Sequence, residues 1–156
     1  MPAWRAPYAT PPLSRTPTPY APAMTATDTT SLVTGVDFVA QLAQDFDRAV
    51  AFYGETLGLR RSVHNPDRGF AEFETGNLTL SIIDPAKMGR EHRAGHNTIA
   101  LHVDDVGQAR ATLEARGVVF HGDTFDTGVC HMAFFNDSEG NDLMLHSRYA
   151  PRVTEG

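Results

Sequence analysis

If this chain does chemistry, it must come from a short set of side chains. Cys130 is the only cysteine, so no internal disulfide and no multi-thiolate metal cluster can form. His131 follows it, and an imidazole beside a thiol is the arrangement that makes a thiolate nucleophile. The pair sits in the alternating run VCHMAFF, however, where consecutive strand residues point to opposite faces. Cys130 is therefore expected as a small buried residue sharing a face with Met132 and Phe134, with His131 turned the other way. Two more histidines, His102 and His146, fall within or close the apolar runs TIALHV and DLMLH, where an imidazole is available to a divalent metal. Glu72 and Glu74, in and just after the run GFAEF, supply carboxylates, or simply form a charged strand edge. Arg61, Arg68, Arg148 and Tyr149 sit at or near strand ends, where an anionic group could be held.

The elements that must position these residues follow from periodicity. The stretch His131 to Tyr149 reads as a β-hairpin, two alternating apolar runs joined by a polar turn containing Gly140. Met132 and Phe134 share one face of its first strand, and Met144 and His146 share one face of its second. Two strands cannot bury such a face alone, so the rest of the chain must supply a sheet around them.

Upstream, VDFVAQL reads as a strand leading to a helix with Asp45 as N-cap. Its apolar stripe is Phe46, Ala49, Val50, Tyr53 and Leu57, and Gly58 closes it. Strands follow at Arg61–His64, GFAEF and LTLSIID, separated by turns at Asn65–Asp67 and Thr75–Asn77. The order then recurs: strand TIALHV, N-cap Asp105, a stripe of Val106, Ala109 and Leu113 stopped by Gly117, and strands VVF, VCHMAFF and DLMLH. Asp45 and Asp105 lie 60 residues apart, and the same offset places Ala49 on Ala109 and Tyr53 on Leu113. This is an internal duplication of a βαβββ unit, too long for a solenoid repeat. Module one spans 35–85, the linker 86–95 and module two 96–148, within a domain at 35–151.

Residues 1–30 hold seven of the ten prolines and read as an extended tail, with Met24 as a plausible alternative start. With 41% hydrophobic residues the chain as a whole has the composition of a globular protein with a core. A net charge of −6 without a dense Lys/Arg run argues against a nucleic-acid partner. No apolar stretch is long enough to span a membrane, and the cysteine usage suits a cytoplasmic location.

Two βαβββ modules, with openings such as AQDFDRAVAFYGETLGL and the closing FNDSEGNDLMLH, resemble the vicinal oxygen chelate superfamily. This group includes glyoxalases, bleomycin- and fosfomycin-resistance proteins, extradiol dioxygenases and methylmalonyl-CoA epimerase. The resemblance covers Gly35 to Pro151 and implies an α+β fold in which the modules curl a mixed sheet into a cup around a metal or ligand, in a homodimer or within one chain. It implies metal ligands on the first and last strands of each module. Those positions fall here on Phe38, Ser81, Thr98 and Met144, none a usual ligand for a hard divalent metal. A slip of one residue would offer Asp37 and Asn97 but turn Val36, Phe38 and Ala40 outward together. A slip of two keeps the face and brings in His102 and His146, on strands that are neighbours in the family's sheet.

The expected cup lining is Phe38, Ala40, Ser81, Thr98, Ala100, His102, Cys130, Met132, Phe134, Met144 and His146. It is mostly apolar and soft, which suits a preformed pocket for a small hydrophobic or aromatic molecule, bound without a cofactor. The alternative is a lyase, isomerase or ring-cleaving dioxygenase with Zn, Fe, Mn or Ni on His102 and His146. A third reading makes the domain a dimeric scaffold and the tail a partner ligand.

Overall fold

The helix starts are set locally. Asp45 Oδ1 accepts from the Arg48 N–H at 3.1 Å and begins α1 (Phe46–Ala51). Asp105 Oδ1 accepts from the Gln108 N–H at 2.8 Å and begins α2 (Val106–Ala115). Both use a carboxylate to satisfy an orphan donor of the first turn. The first helix does not stop at Ala51: a π-helical turn, Phe52–Thr56, extends it, with the Leu57 N–H bonded to the Phe52 carbonyl at 2.9 Å. Gly58 then ends the segment at φ 75°, a left-handed conformation that a residue with a Cβ adopts at a cost.

A computed structural model describes residues 32, 33 and 35–152, with a compact unit beginning at Gly35. The proline-rich segment 1–30 and its expected role lie outside the described residues. The strands are β1 (Phe38–Leu42), β2 (Arg60–Asn65), β3 (Phe70–Glu74), β4 (Thr79–Ile83), β5 (Ile99–His102), β6 (Phe120–Asp126), β7 (Cys130–Asn136) and β8 (Asp142–Arg148). They form two four-stranded mixed sheets of the same order, β1-β4-β3-β2 and β5-β8-β7-β6. In each, the first strand runs parallel to the last, and the other pairs are antiparallel. This is the expected α+β arrangement of two βαβββ modules.

Two expectations need correction. The strand expected at VVF begins only at its last residue, Phe120, and runs to Asp126. Val118 is buried ahead of it and Val119 is exposed. The added residues, HGDTFD, are polar and contain the register shift between His121 and Phe125, so they carry no clean alternation. The strand expected to start at Thr98 starts at Ile99, leaving Thr98 exposed just outside it.

One face of each sheet is covered by its helix. In module one this face is Val39 and Gln41, Ala71 and Phe73, and Leu80 and Ile82, packed under Ala49, Val50 and Tyr53. The Tyr53 and Phe73 rings lie 5.8 Å apart. In module two it is Ile99 and Leu101, Ala133 and Phe135, and Leu143 and Leu145, under Val106, Ala109 and Leu113. A single continuous cluster contains residues of both modules, so they meet through their helix-covered sides.

The turn between β7 and β8 clasps the modules together. Glu139 Oε2 accepts from the Gln44 and Asp45 N–H groups at 2.8 and 2.9 Å, capping α1 from the other module. Its Oε1 accepts from Arg48 Nε and Nη2 at 3.0 and 2.7 Å. Burial pushes the Glu139 carboxyl up, but the bonds from Asp45, Arg48 and Gln44 outweigh it and hold the group below its ordinary range. Asp137 Oδ2 accepts from the Tyr53 hydroxyl at 2.8 Å, and Asn141 Nδ2 donates to the Leu42 carbonyl at 3.0 Å. Burial and the Asp137 charge keep the Tyr53 phenol protonated well above its usual range.

Candidate functional site

The faces opposite the helices are the candidate site, because strand parity collects the expected residues there. In sheet one, Phe38 and Ala40 on β1 oppose Thr79 and Ser81 on β4, and Ser81 opposes Glu72 on β3. Phe38 is 58% exposed, a large apolar side chain left in water, whereas Ser81 is buried between Ala40 and Glu72. Glu74, on the same face, is held below its ordinary range by hydrogen bonds from Ser62 and Thr79.

In sheet two, Ala100 opposes Met144, which opposes Phe134, and His102 opposes His146, which opposes Met132. Met132, Phe134, Met144 and His146 are half-buried and His102 is exposed. The shared faces expected from alternation along the two hairpin strands are thus the faces observed. Cys130 starts the same face, buried, with its Sγ 3.1 Å from the Thr127 hydroxyl. His131 points to the other side, where it lies 3.5 Å from Asp126 and against the Tyr149 ring, so no Cys–His dyad forms. Arg148 donates to the Pro151 carbonyl and Tyr149 to Asp126 rather than to this face.

The usual metal positions can be judged by their donors. Phe38 has none, Met144 offers a soft thioether, Ser81 a neutral hydroxyl between two strands, and Thr98 a hydroxyl beyond the end of β5. That set does not fit a hard divalent ion. His102 and His146 are Cα partners across the parallel β5–β8 pair, with His102 Nε2 also 3.8 Å from Asp104. Among the described residues, no three His, Cys, Asp or Glu side chains come together as a metal-binding group.

Four polar residues of this face escaped the sequence reading. His121 Nε2 bonds to Asn136 Oδ1 at 2.5 Å, Asn136 Nδ2 donates to Asp142 Oδ1 at 2.7 Å, and Asp142 Oδ2 lies 3.2 Å from His96 Nδ1. The line crosses β6, β7, β8 and the residues leading into β5. The available signal was parity: Asp142 lies two residues before Met144 and His96 two before Thr98, a slip opposite in direction to the one considered. Phe125, 56% exposed, also joins the face through its pairing with Met132.

A separate groove of about 840 Å³ lies on the helix side between the modules, lined by Leu57, Leu78, Ile99, Leu101 and Leu113 with Arg116 at its rim. It meets the candidate face only at the edge strand β5, through Ala100 and His102.

Two βαβββ modules, each with a helix on one side of its sheet and a mixed apolar and polar surface on the other, define a paired-module α+β domain. The chain belongs to the Glyoxalase/Bleomycin resistance protein/Dioxygenase superfamily, whose model matches residues 35–145. Among solved structures it is similar to a lactoylglutathione lyase from Agrobacterium tumefaciens, with TM-score 0.64 and 21% identity over 73% of this chain and 93% of that one. It is similar to a glyoxalase/bleomycin resistance protein/dioxygenase from Nocardioides, with TM-score 0.65 and 21% identity over 82% and 94%. It is also similar to TnmS3, an antibiotic binding protein from Streptomyces sp. CB03234, with TM-score 0.64 and 24% identity over 76% and 99%. At these identities the likeness is one of fold. No curated protein matches the chain.

Proposed function

We propose that this chain binds a small hydrophobic or aromatic molecule on the helix-free faces of its sheets, without a metal at the family's usual positions. The observation that carries the reading is the exposed apolar surface itself. Phe38 is 58% exposed on the helix-free side of the first sheet, and Phe125 is 56% exposed on the helix-free side of the second, beside half-buried Met132, Phe134 and Met144, while the opposite faces carry the core. Large apolar side chains left exposed on a sheet face are the kind of surface that a ligand or partner covers. Because the modules of one chain meet through their helix sides, the reading has two copies pair as a homodimer, each cup built from one face of each chain. The fold likeness to an antibiotic binding protein supports it by analogy.

The test is calorimetric titration of the full chain with a panel of antibiotics and aromatic metabolites, alongside molar mass by light scattering. Saturable binding by a dimer is expected; a monomer that binds nothing on the panel refutes the proposal. The register pairing of His102 with His146 favours a second reading, a lyase, isomerase or ring-cleaving dioxygenase with Zn, Fe, Mn or Ni on those two residues. One molar equivalent of metal in protein purified without chelators, lost in His102→Ala and His146→Ala, would establish that reading instead.

A further inference from the structure

The line His121–Asn136–Asp142–His96 fixes what its two imidazoles offer. Ionised Asp142 only accepts, so the 3.2 Å contact requires His96 Nδ1 to carry the proton, leaving Nε2 without one in the neutral ring. Asn136 spends its amide N–H groups on Asp142 Oδ1 and on the Gly140 carbonyl, at 2.7 and 3.2 Å. Its Oδ1 therefore faces His121 and accepts from Nε2–H, which leaves His121 Nδ1 bare. The two rings are held in opposite tautomers, each with an uncommitted acceptor. The His96 side chain is 81% exposed, so its acceptor is reachable.

These residues continue the apolar face. Asn136 and Asp142 are cross-strand partners one step along from Phe134 and Met144, and His121 opposes Phe134. No Lys or Arg is bonded to the line among the described residues. An anionic head group would thus meet the Asp142 carboxylate with no fixed countercharge. A neutral hydroxyl donor finds a bare nitrogen at either end of the line.

Resting on the binding reading above, we propose that His96 and Asp142, with His121 and Asn136, form the polar end of the site and select neutral aromatic ligands bearing a hydrogen-bond-donating hydroxyl, a phenol in the simplest case. Apolar rings lie over Phe134 and Met144, and the hydroxyl donates to His96 Nε2.

Three probes of one ring size test this on the full chain: 2-naphthol, 2-methylnaphthalene and 2-naphthoate. The wild type is expected to bind the naphthol about tenfold more tightly than the hydrocarbon, one well-placed hydrogen bond, and the naphthoate most weakly. His96→Phe, which keeps the ring, removes the naphthol preference while leaving hydrocarbon affinity within about twofold, and Asp142→Asn weakens that preference. Nitrogen-15 spectra of the free protein should show His96 protonated at Nδ1. Hydrocarbon binding with no naphthol preference, a preference that survives His96→Phe, tighter naphthoate binding or the opposite His96 tautomer overturns this proposal alone. Failure of all three probes to bind overturns the binding reading with it.

Discussion

Replacing Glu139 by alanine is expected to be among the most damaging single changes on this molecule, although the residue lies in a turn. Its side chain is 1% exposed and accepts five hydrogen bonds, two of them from the first backbone N–H groups ahead of α1. Losing the acceptor for two backbone donors and the charged bonds costs about 3 kcal/mol, at roughly 1 kcal/mol per backbone donor and somewhat more for the charged contact. Arg48, by contrast, is 58% exposed, so Arg48→Ala removes a solvent-screened partner and costs much less than Glu139→Ala. Glu139→Gln keeps an oxygen acceptor and falls between them.

Urea unfolding followed by circular dichroism measures all three, the sole tryptophan, Trp4, lying outside the described residues. The folded Glu139 carboxyl sits below its ordinary value of 4.5, so its contribution is present above that value and fades as pH falls through the lower native one. The gap between wild type and Glu139→Gln should therefore shrink on acidification. Arg48→Ala as costly as Glu139→Ala, or a Glu139→Ala variant as stable as wild type, would refute the capping argument.

Tyr53→Phe removes a buried bond to Asp137, which keeps Asn141 as partner, and should cost about 1 kcal/mol by the same unfolding assay. Because the Tyr53 phenol is raised by burial, its contribution is complete below 10 and declines only as pH rises toward the higher native value, so the variant's deficit should diminish only in strong alkali. Gly69→Ala should cost more than about 1 kcal/mol in thermal unfolding, since Gly69 has φ 68° and a Cβ there would lie 2.6 Å from Lys87 Cγ and 2.9 Å from Asp84 Cβ. Phe73→Ala should cost about 3–5 kcal/mol and Phe38→Ala less than about 1, because Phe73 is wholly buried beneath Tyr53 while Phe38 faces solvent. A large loss of stability in Phe38→Ala would show that its face is core rather than site.

What the sequence determined by itself was whatever a few neighbouring residues decide. Asp45 and Asp105 cap their helices, and Gly58 and Gly117 take the left-handed turns that end the helical segments, because these preferences are satisfied within one turn of chain. Alternation likewise set the hairpin face of Met132, Phe134, Met144 and His146. It misplaced β6, expecting it at VVF, because a register shift and polar residues erase the period over the strand that follows Phe120. It could not distinguish Ser81, buried in mid-sheet, from an open serine, since burial depends on Ala40 and Glu72 on the flanking strands.

Tertiary structure alone decided the clasp, in which Glu139 caps a helix more than ninety residues earlier, and the bond from Asp142 to His96. Both bring together residues whose separation in the chain carries no periodic signal. Their proximity follows from strand register and module packing, which are cooperative properties of the whole fold rather than of any window of sequence.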